Sequence, residues 1–262
     1  MNITLHDREA PPYDRHLTVV APVAPQLQEV LSGPARTRRR VLALFLPLAA
    51  AFFMAAEGLD PRGTDVVVQD TATAFKVLPI AATHPTQLFV AGALSLLALG
   101  ALAVSFAAIA TLVRARGATV ATVAALIGGV AAFGGIVTNV LVDFNLGAAA
   151  TAHLSRAAAA QFLIRTFDSG FVHPFEYVYF VGVPVATALM AFALWRSRAV
   201  PRWLALLFLV GLEVAFQVSS LGPLVVVALM APFAVAMVLL SIRIWRTAGR
   251  SAGGPKAAAA RL

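Results

Sequence analysis

Three pairs of polar residues stand inside otherwise apolar stretches of this 262-residue chain. Each pair is spaced by three or four residues, which places its two members on one face of a helix. The pairs are Asn139 and Asp143, His173 and Glu176, and Glu213 and Gln217. An ionisable side chain inside an apolar helix is costly, so each pair is a candidate for function.

Together these six side chains predict a polar cavity that opens toward the outer side of a membrane. Such a cavity could bind a cation or exchange protons, because imidazole and buried carboxyl groups titrate near neutral pH. A divalent metal is a further hypothesis, with His173, Glu176 and Asp143 as its ligands if one binds. No catalytic residue and no cofactor is predicted, and the absence of cysteine excludes thiolate ligands.

The same pairs have a simpler interpretation, which the sequence leaves open. His173, Tyr177 and Tyr179 belong to the stretch FVHPFEYVYF, which is typical of helix ends that reach lipid headgroups. Glu213 and Gln217 could hydrogen-bond to a neighbouring helix and hold a bundle together. Under this interpretation the polar residues are structural.

The composition indicates which elements must position these residues. Hydrophobic residues make up 60% of the chain and charged residues 12%, about half the share found in soluble proteins. The mean hydropathy is +0.85. Six apolar segments are evident, and a helix that crosses a bilayer needs about 20 residues. They are 41–56, 87–113, 118–142, 171–195, 203–221 and 223–245. The predicted fold is an all-α transmembrane bundle of six helices.

Basic residues alternate between the connections of these segments. Four arginines precede the first segment, two join the second to the third, three join the fourth to the fifth, and five basic residues follow the last. Only Arg62, Lys76, Arg156 and Arg165 lie on the opposite side. Lys and Arg collect on the cytoplasmic side of membrane proteins, so both termini are predicted to be cytoplasmic. The net charge of +8 therefore reflects membrane topology rather than nucleic-acid binding.

The chain is expected to contain one folded domain between two tails. Residues 1–40 are predicted to be a disordered cytoplasmic tail, 41–246 the transmembrane domain, and 247–262 a flexible basic tail. The outer loops are 57–86 and 143–170, and the second is expected to hold a short helix along the membrane surface. The first apolar segment also fits a signal peptide, but the tail ahead of it is long for one, so we expect a retained helix.

Small residues in the third segment predict a close helix contact. The stretch ALIGGVAAFGGIVTN places Gly128, Ala132 and Gly135 at spacings that let two helix backbones approach. The contact is either helix packing within the bundle or a seam between two copies of the chain.

A run of arginines ahead of the first segment predicts contact with the membrane surface. Anionic lipid headgroups are the expected partners, together with the bilayer itself. The residues are Arg36, Arg38, Arg39 and Arg40.

The stretch FVGVPVATALMAFALWRSRAVPRWLALLFLVG (180–211) consists of two apolar helices joined by a short Arg/Pro/Trp turn. In this it resembles the six-helix integral membrane proteins of bacteria whose activity is uncharacterised. The resemblance implies a multi-pass protein of the bacterial cytoplasmic membrane and carries no functional residue with it.

Three function classes follow from these features. The first is a small-molecule or ion permease that uses the polar cavity as its entry. The alternative is a non-catalytic scaffold or accessory membrane subunit. The second alternative is a membrane-embedded, metal-dependent enzyme. The scattered polar content favours a role other than an enzyme, because a proton-driven pump or catalyst needs several linked groups.

Overall fold

The chain folds into helices joined by short connections. The computed structural model describes residues 33–62, 70–114, 116–152, 154–167, 170, 172–217 and 223–250. Of the tails predicted at 1–40 and 247–262, residues 1–32 and 251–262 lie outside these residues, as do parts of both outer loops. The helices are α1 (Gly33–Leu59), α2 (Thr71–Thr83), α3 (Pro85–Ala110), α4 (Ala118–Gly135), a π-helical turn (Ile136–Val140), α5 (Leu141–Thr151), α6 (Arg156–Phe167), α7 (Val172–Ser197), α8 (Arg202–Gln217), α9 (Pro223–Leu229) and α10 (Ala231–Arg250).

Five of the described helical segments are long and apolar enough to cross a bilayer. They cover 33–59, 85–110, 118–151, 172–197 and 231–248. By helix length and composition this is a multi-pass membrane protein in contact with lipid, and the all-α prediction is confirmed. The fifth predicted segment, 203–221, corresponds to α8, which the structure describes over 16 residues.

Several helix boundaries differ from the predicted segments. α1 begins at Gly33, eight residues ahead of the predicted start, and Pro34 is tolerated there because the first turn has no amide partner to lose. The last segment, predicted as 223–245, is divided at Met230 into α9 and α10. Pro232, which cannot donate a backbone hydrogen bond, follows this interruption.

Contacts between helix ends show that successive long helices run antiparallel. Arg39 at the start of α1 donates to the carbonyl of Thr111 after α3, and Arg40 stacks on Trp245 near the end of α10. Arg202 likewise stacks on Trp195 across the α7–α8 turn. We call this the basic end. Its described charged side chains are all arginines: Arg36, Arg38, Arg39, Arg40, Arg114, Arg116, Arg196, Arg198, Arg202, Arg243 and Arg246.

The opposite end of the bundle carries a second, smaller hydrophobic core. It is built from one face of α2, one face of α6, the second half of α5 and the first turn of α3. Its buried members are Ala74, Val77, Leu78, Ala81, Leu88, Leu146, Ala149, Ala159, Ala160 and Leu163. We call α2, α6 and the second half of α5 the cap, and this end of the molecule the cap end.

One helical segment that carries part of the cap is longer than the hydrocarbon core of a bilayer. α4, the π turn and α5 form one segment of 34 residues, Ala118–Thr151. At about 1.5 Å per residue it spans about 50 Å, against about 30 Å of hydrocarbon. The loop predicted at 143–170 is therefore largely helical, and α6 packs on α2 and α5 through Ala159, Ala160 and Leu163.

Candidate functional site

Close contact between α4 and α7 sets the position of the polar residues. A Cβ on Gly134 would lie 2.7 Å from the carbonyl oxygen of Phe175, and one on Gly135 would lie 2.5 Å from the Tyr179 ring. Only glycine lets the two helices approach this closely. Tyr179 is consequently buried inside the bundle, whereas its neighbour Tyr177 is exposed as the headgroup interpretation expects.

The three small residues singled out in the sequence pack inside the chain. Gly128 lies against the Phe106 ring of α3, and Gly135 contacts Leu99 of α3 as well as Tyr179 of α7. Ala132 is fully buried. Helices of the same chain therefore occupy this face, and a seam between two copies would need a different one.

A buried ion-pair cluster joins three charged residues at the cap end. The guanidinium of Arg62 donates from Nη2 to Asp60 Oδ2 and to Asp143 Oδ1, both at 2.5 Å. Its Nε also donates to Asp60, at 2.9 Å and 3.1 Å. The exposed fractions of the three side chains are 7% for Arg62, 15% for Asp60 and 6% for Asp143. We call these three residues the clasp.

The clasp joins the connection after α1 to the start of α5. Asp143 also packs directly on α3, since a Cβ added to Gly92 would lie 3.1 Å from the Asp143 Cβ. The next residue of α5 continues the contact, with Phe144 against Phe89 of α3 at 5.9 Å between ring centroids. Charges buried in this way must be paired and hydrogen-bonded, and the fork of an arginine suits two carboxylates. The clasp therefore fixes α1, α3 and α5 relative to one another.

Asn139 lies in the π-helical turn that separates α4 from α5. Single π turns within α-helices often mark functional positions, because they redirect side chains and free a backbone group. Thr138 is buried there and donates to the carbonyl of Gly134 at 3.0 Å. Asn139 itself is only partly buried. The turn thus changes the register between Asn139 and Asp143, which an unbroken helix would have placed on one face.

His173 and Glu176 lie on the first turns of α7, as their spacing predicts. His173 Nδ1 is 3.4 Å from Glu176 Oε2, and the exposed fractions of the two side chains are 49% and 34%. A pair of this length and exposure contributes little to stability.

Glu213 is a partly buried residue of α8. It follows Arg202 by eleven residues, which places it about 16 Å along the helix from the basic end. Gln217 is the last residue of α8, and its side chain lies outside the described residues. α8 packs against α7, α9 and α10.

The structure brings His173 close to Glu176 and joins Asp143 to Arg62. These two pairs lie on elements whose described residues do not pack on each other. α5 packs on α2, α3 and α6, and no described residue of α5 lies near α8 or α7. Asp143 and Glu213 therefore belong to different parts of the bundle. Within the described residues, His173, Glu176 and Asp143 do not form a group that could hold a metal ion.

The cap is held by polar contacts of its own. Asp70 precedes α2 and accepts a hydrogen bond from the Thr73 backbone N–H at 2.7 Å. This bond favours the charged carboxylate and lowers the pKa of Asp70 below its ordinary range. Arg156 at the start of α6 donates to the carbonyl of Phe75 at 2.7 Å and stacks on its ring, with its guanidinium carbon 5.1 Å from the ring centroid.

The four arginines ahead of the first apolar segment occupy two different environments. Arg36, Arg39 and Arg40 are partly buried, whereas Arg38 is exposed. The first three follow the i, i+3, i+4 spacing of one helix face, which continues into the bundle as the buried Ala43. They therefore line the rim of the bundle at its basic end.

Sequence reasoning identified Asp143 but missed its partners. The sequence singles out Arg62 only as a basic residue of the outer side, and it does not single out Asp60. The signal that could have linked them is local: Asp60 and Arg62 flank Pro61, directly after a helix that must end there. A buried aspartate with no cation on its own helix required a partner of this kind.

Comparison with known proteins adds no family to this description. No protein-family model matches the chain, and neither a curated protein nor a solved structure matches it. The likeness to bacterial six-helix proteins thus has no match to support it beyond the shared character of a multi-pass membrane protein.

Proposed function

We propose that this protein is a non-catalytic membrane scaffold or accessory subunit that presents its cap to a partner protein outside the bilayer. The observation that carries the proposal is the cap itself. The segment that ends in α5 is about 50 Å long, more than the hydrocarbon core of a bilayer requires, and two further helices pack on α5 around a separate hydrophobic core. A chain that only had to cross the membrane would not need this second core.

The interior of the bundle supports the same role. Its buried cluster includes large side chains such as Phe106, Phe208 and Phe233, packed with many alanines. Aromatic rings pack directly against glycines of neighbouring helices, as the Phe106 ring packs against Gly128. In the clasp, the guanidinium of Arg62 donates its hydrogen bonds to carboxylates of the same chain. Dense packing and internally paired charges are typical of a structural bundle.

The number of spans and the orientation in the membrane belong to the proposal. We infer that α8 is a sixth span and that the basic end faces the cytoplasm of a bacterial cell. Arginines gathered at one end favour that orientation. The cap would then face outward.

A permease is the second candidate, and Glu213 is the observation that favours it. A partly buried carboxyl group within an apolar helix is a functional candidate by default. In this case α7, α8 and α10 would line the path, with His173 and Glu176 near its outer mouth. Asp143 lies on α5, which packs on α2, α3 and α6, so this proposal keeps only Glu213, His173 and Glu176 of the six predicted cavity residues. A metal-dependent enzyme draws no comparable support from any described group of residues.

Photo-crosslinking tests the scaffold proposal directly. A photoreactive amino acid would replace Phe162, which is 43% exposed on α6 of the cap, and separately Leu126, which is 66% exposed on the lipid-facing side of α4. After irradiation of native membranes we expect one discrete protein adduct from position 162 and only lipid adducts from position 126. Lipid adducts alone at both positions would contradict the proposal.

Thiol labelling separates the scaffold from the permease. The chain has no cysteine, so each engineered cysteine is the only reactive group. In a filled bundle Glu213→Cys should react with a membrane-impermeant maleimide at least about a hundredfold more slowly than Phe162→Cys, because a thiol must be wet to ionise. Comparable rates from the cap side would favour the permease.

A further inference from the structure

Charged atoms at the basic end are buried without a partner. The atoms are Arg36 Nε, Arg39 Nη1 and Arg40 Nε, and none has a hydrogen-bond partner among the described residues. A buried N–H of a charged group is expensive when nothing accepts it. A topology signal needs only the charge of these residues, so burial of their donors requires another explanation.

The side chains are nevertheless held in place. Arg39 Nη2 donates to the carbonyl of Thr111, and Arg40 lies over Trp245 with its guanidinium carbon 5.4 Å from the ring centroid. Two neutral partners thus orient two cations without neutralising them. Arg114 lies near enough to repel Arg39 electrostatically. The rim therefore combines fixed donors with uncompensated positive charge.

No described carboxylate lies at this end. The six described carboxylates belong to the cap end or to the α8 interior: Glu57, Asp60, Asp70, Asp143, Glu176 and Glu213. An anion with several acceptor oxygens would satisfy both the donors and the charge. Phosphate is the group that best matches clustered guanidinium groups.

We propose that Arg36, Arg39 and Arg40 form a binding site for the phosphate of an anionic phospholipid. The surfaces beside the site favour a lipid over a free phosphate. On α1, Leu44 and Leu48 are exposed four and eight residues after Arg40, in line with it along the helix. On α10, Ile242 and Val238 form a similar exposed stripe behind Trp245. Because α1 and α10 are in contact, acyl chains could lie along both stripes below the headgroup.

Native mass spectrometry of the full chain in detergent measures this binding. The probes are phosphatidylglycerol, which is anionic, and phosphatidylcholine of the same acyl chains, which is zwitterionic. Arg36→Gln/Arg40→Gln should weaken phosphatidylglycerol binding by about thirtyfold, since each arginine near an anionic headgroup contributes about fivefold. Arg39 is left unchanged because its contact with Thr111 has a structural role.

The exposed Arg38 provides the matched control. Arg38→Gln removes one charge from the same helix turn, as Arg40→Gln does, and should weaken binding less than about twofold, against about fivefold for Arg40→Gln alone. Equal losses in these two single variants would show attraction to overall charge and would overturn the site. If the double variant fails to fold, Arg40→Gln alone should still bind more weakly than Arg38→Gln.

Two competition arms identify the source of the anion. Inorganic phosphate at millimolar concentration should not displace phosphatidylglycerol, and its full displacement would assign the site to a soluble phosphate instead. The segment 1–32 contains Asp7, Glu9, Asp14 and Glu29. A variant with these four residues changed to amides should bind phosphatidylglycerol unchanged. Tighter binding would mean that carboxylates of the chain itself fill the site, which would overturn the proposal.

Discussion

Arginines at the two ends of the bundle have opposite kinds of partner, charged at one end and neutral at the other. At the cap end, Arg62 directs three of its nitrogen–oxygen contacts to Asp60 and one to Asp143, so its charge is matched inside the chain. At the basic end, Arg39 and Arg40 contact a carbonyl and an indole ring, neither of which carries a charge. The first arrangement fixes the structure, and the second leaves an electrostatic requirement that something outside the described chain must meet.

The comparison indicates that charged residues serve stability at the cap end and ligand binding at the basic end. A buried cation between two carboxylates loses free energy when either partner is removed. A cation held by neutral partners leaves its charge available to a ligand. Substitutions at the cap end should therefore change unfolding, and substitutions at the basic end should change binding.

Asp143→Asn should have the largest effect on stability. It removes the Asp143 carboxylate from the buried Arg62, and losing one partner of a buried pair costs about 3 kcal/mol. The measurement is the free energy of unfolding in detergent. Glu176→Gln, in the exposed pair with His173, is the control and should change it by less than about 0.5 kcal/mol.

A double-mutant cycle sharpens this result. If the clasp acts as a unit, Arg62→Gln with Asp143→Asn should be less destabilising than the sum of the two single changes. Additive losses would mean that Asp143 is stabilised by its packing on Gly92 rather than by the guanidinium.

The contact between α4 and α7 in the middle of the bundle involves no charged residue, so its effect on the unfolding free energy can be compared with that of the clasp. Gly134→Ala would place a methyl group 2.7 Å from the Phe175 carbonyl, so α4 and α7 must separate, at a cost of about 2 kcal/mol. Gly129 lies on the same helix with open space around it. Gly129→Ala should be neutral or stabilising, because alanine favours a helix over glycine. Equal effects of the two changes on the unfolding free energy would contradict the close α4–α7 contact.

The sequence predicted the long apolar helices well and the polar contacts poorly, for different physical reasons. Apolar runs and their flanking arginines are local signals, so α3 and α7 begin and end within a few residues of the predicted segments. The continuation of α5 was missed because Asp143, Asn145 and Gly147 make that stretch look like a loop. In the structure the clasp and the Phe89 ring cover those residues, which lets the helix continue.

Long-range pairing was not available from the sequence. Arg62 and Asp143 are 81 residues apart, and no sequence pattern around either residue indicates that the other is its partner. The six-residue cavity stays a prediction, because the side chain of Gln217 lies outside the described residues. Helices that are neighbours in a spacing pattern need not touch in the fold. Asp143 and Glu213 have equally polar surroundings in the sequence, yet α5 and α8 pack on different helices.

Arg156 tests whether the comparison depends on the partner or on the end of the molecule. It lies in the cap, but its partners are the carbonyl and the ring of Phe75, which are neutral like those at the basic end. Arg156→Gln should lower the unfolding free energy by only about 1 kcal/mol, the sum of one hydrogen bond and a stacked cation at an exposed position. A loss as large as that of Asp143→Asn would show that location, rather than the charge of the partner, sets the effect.

The carboxylate of Asp70 should make the smallest contribution to stability, and the pH dependence of the first turn of α2 should reveal it. Its carboxylate accepts from the Thr73 N–H at the exposed start of α2, and this lowers its pKa below the ordinary value of about 3.9. Because the folded pKa is the lower one, the contribution is fully present above the unfolded pKa and is lost as pH falls through the folded pKa. Amide hydrogen exchange in the first turn of α2, corrected for its intrinsic pH dependence, should therefore quicken only in acid. Asp70→Asn can still accept the bond but carries no charge, so it should remove this pH dependence while keeping much of the protection at neutral pH. An unchanged acid response in Asp70→Asn would assign the pH dependence to another group, and the cap would then be held by its hydrophobic core and Arg156 without help from this carboxylate.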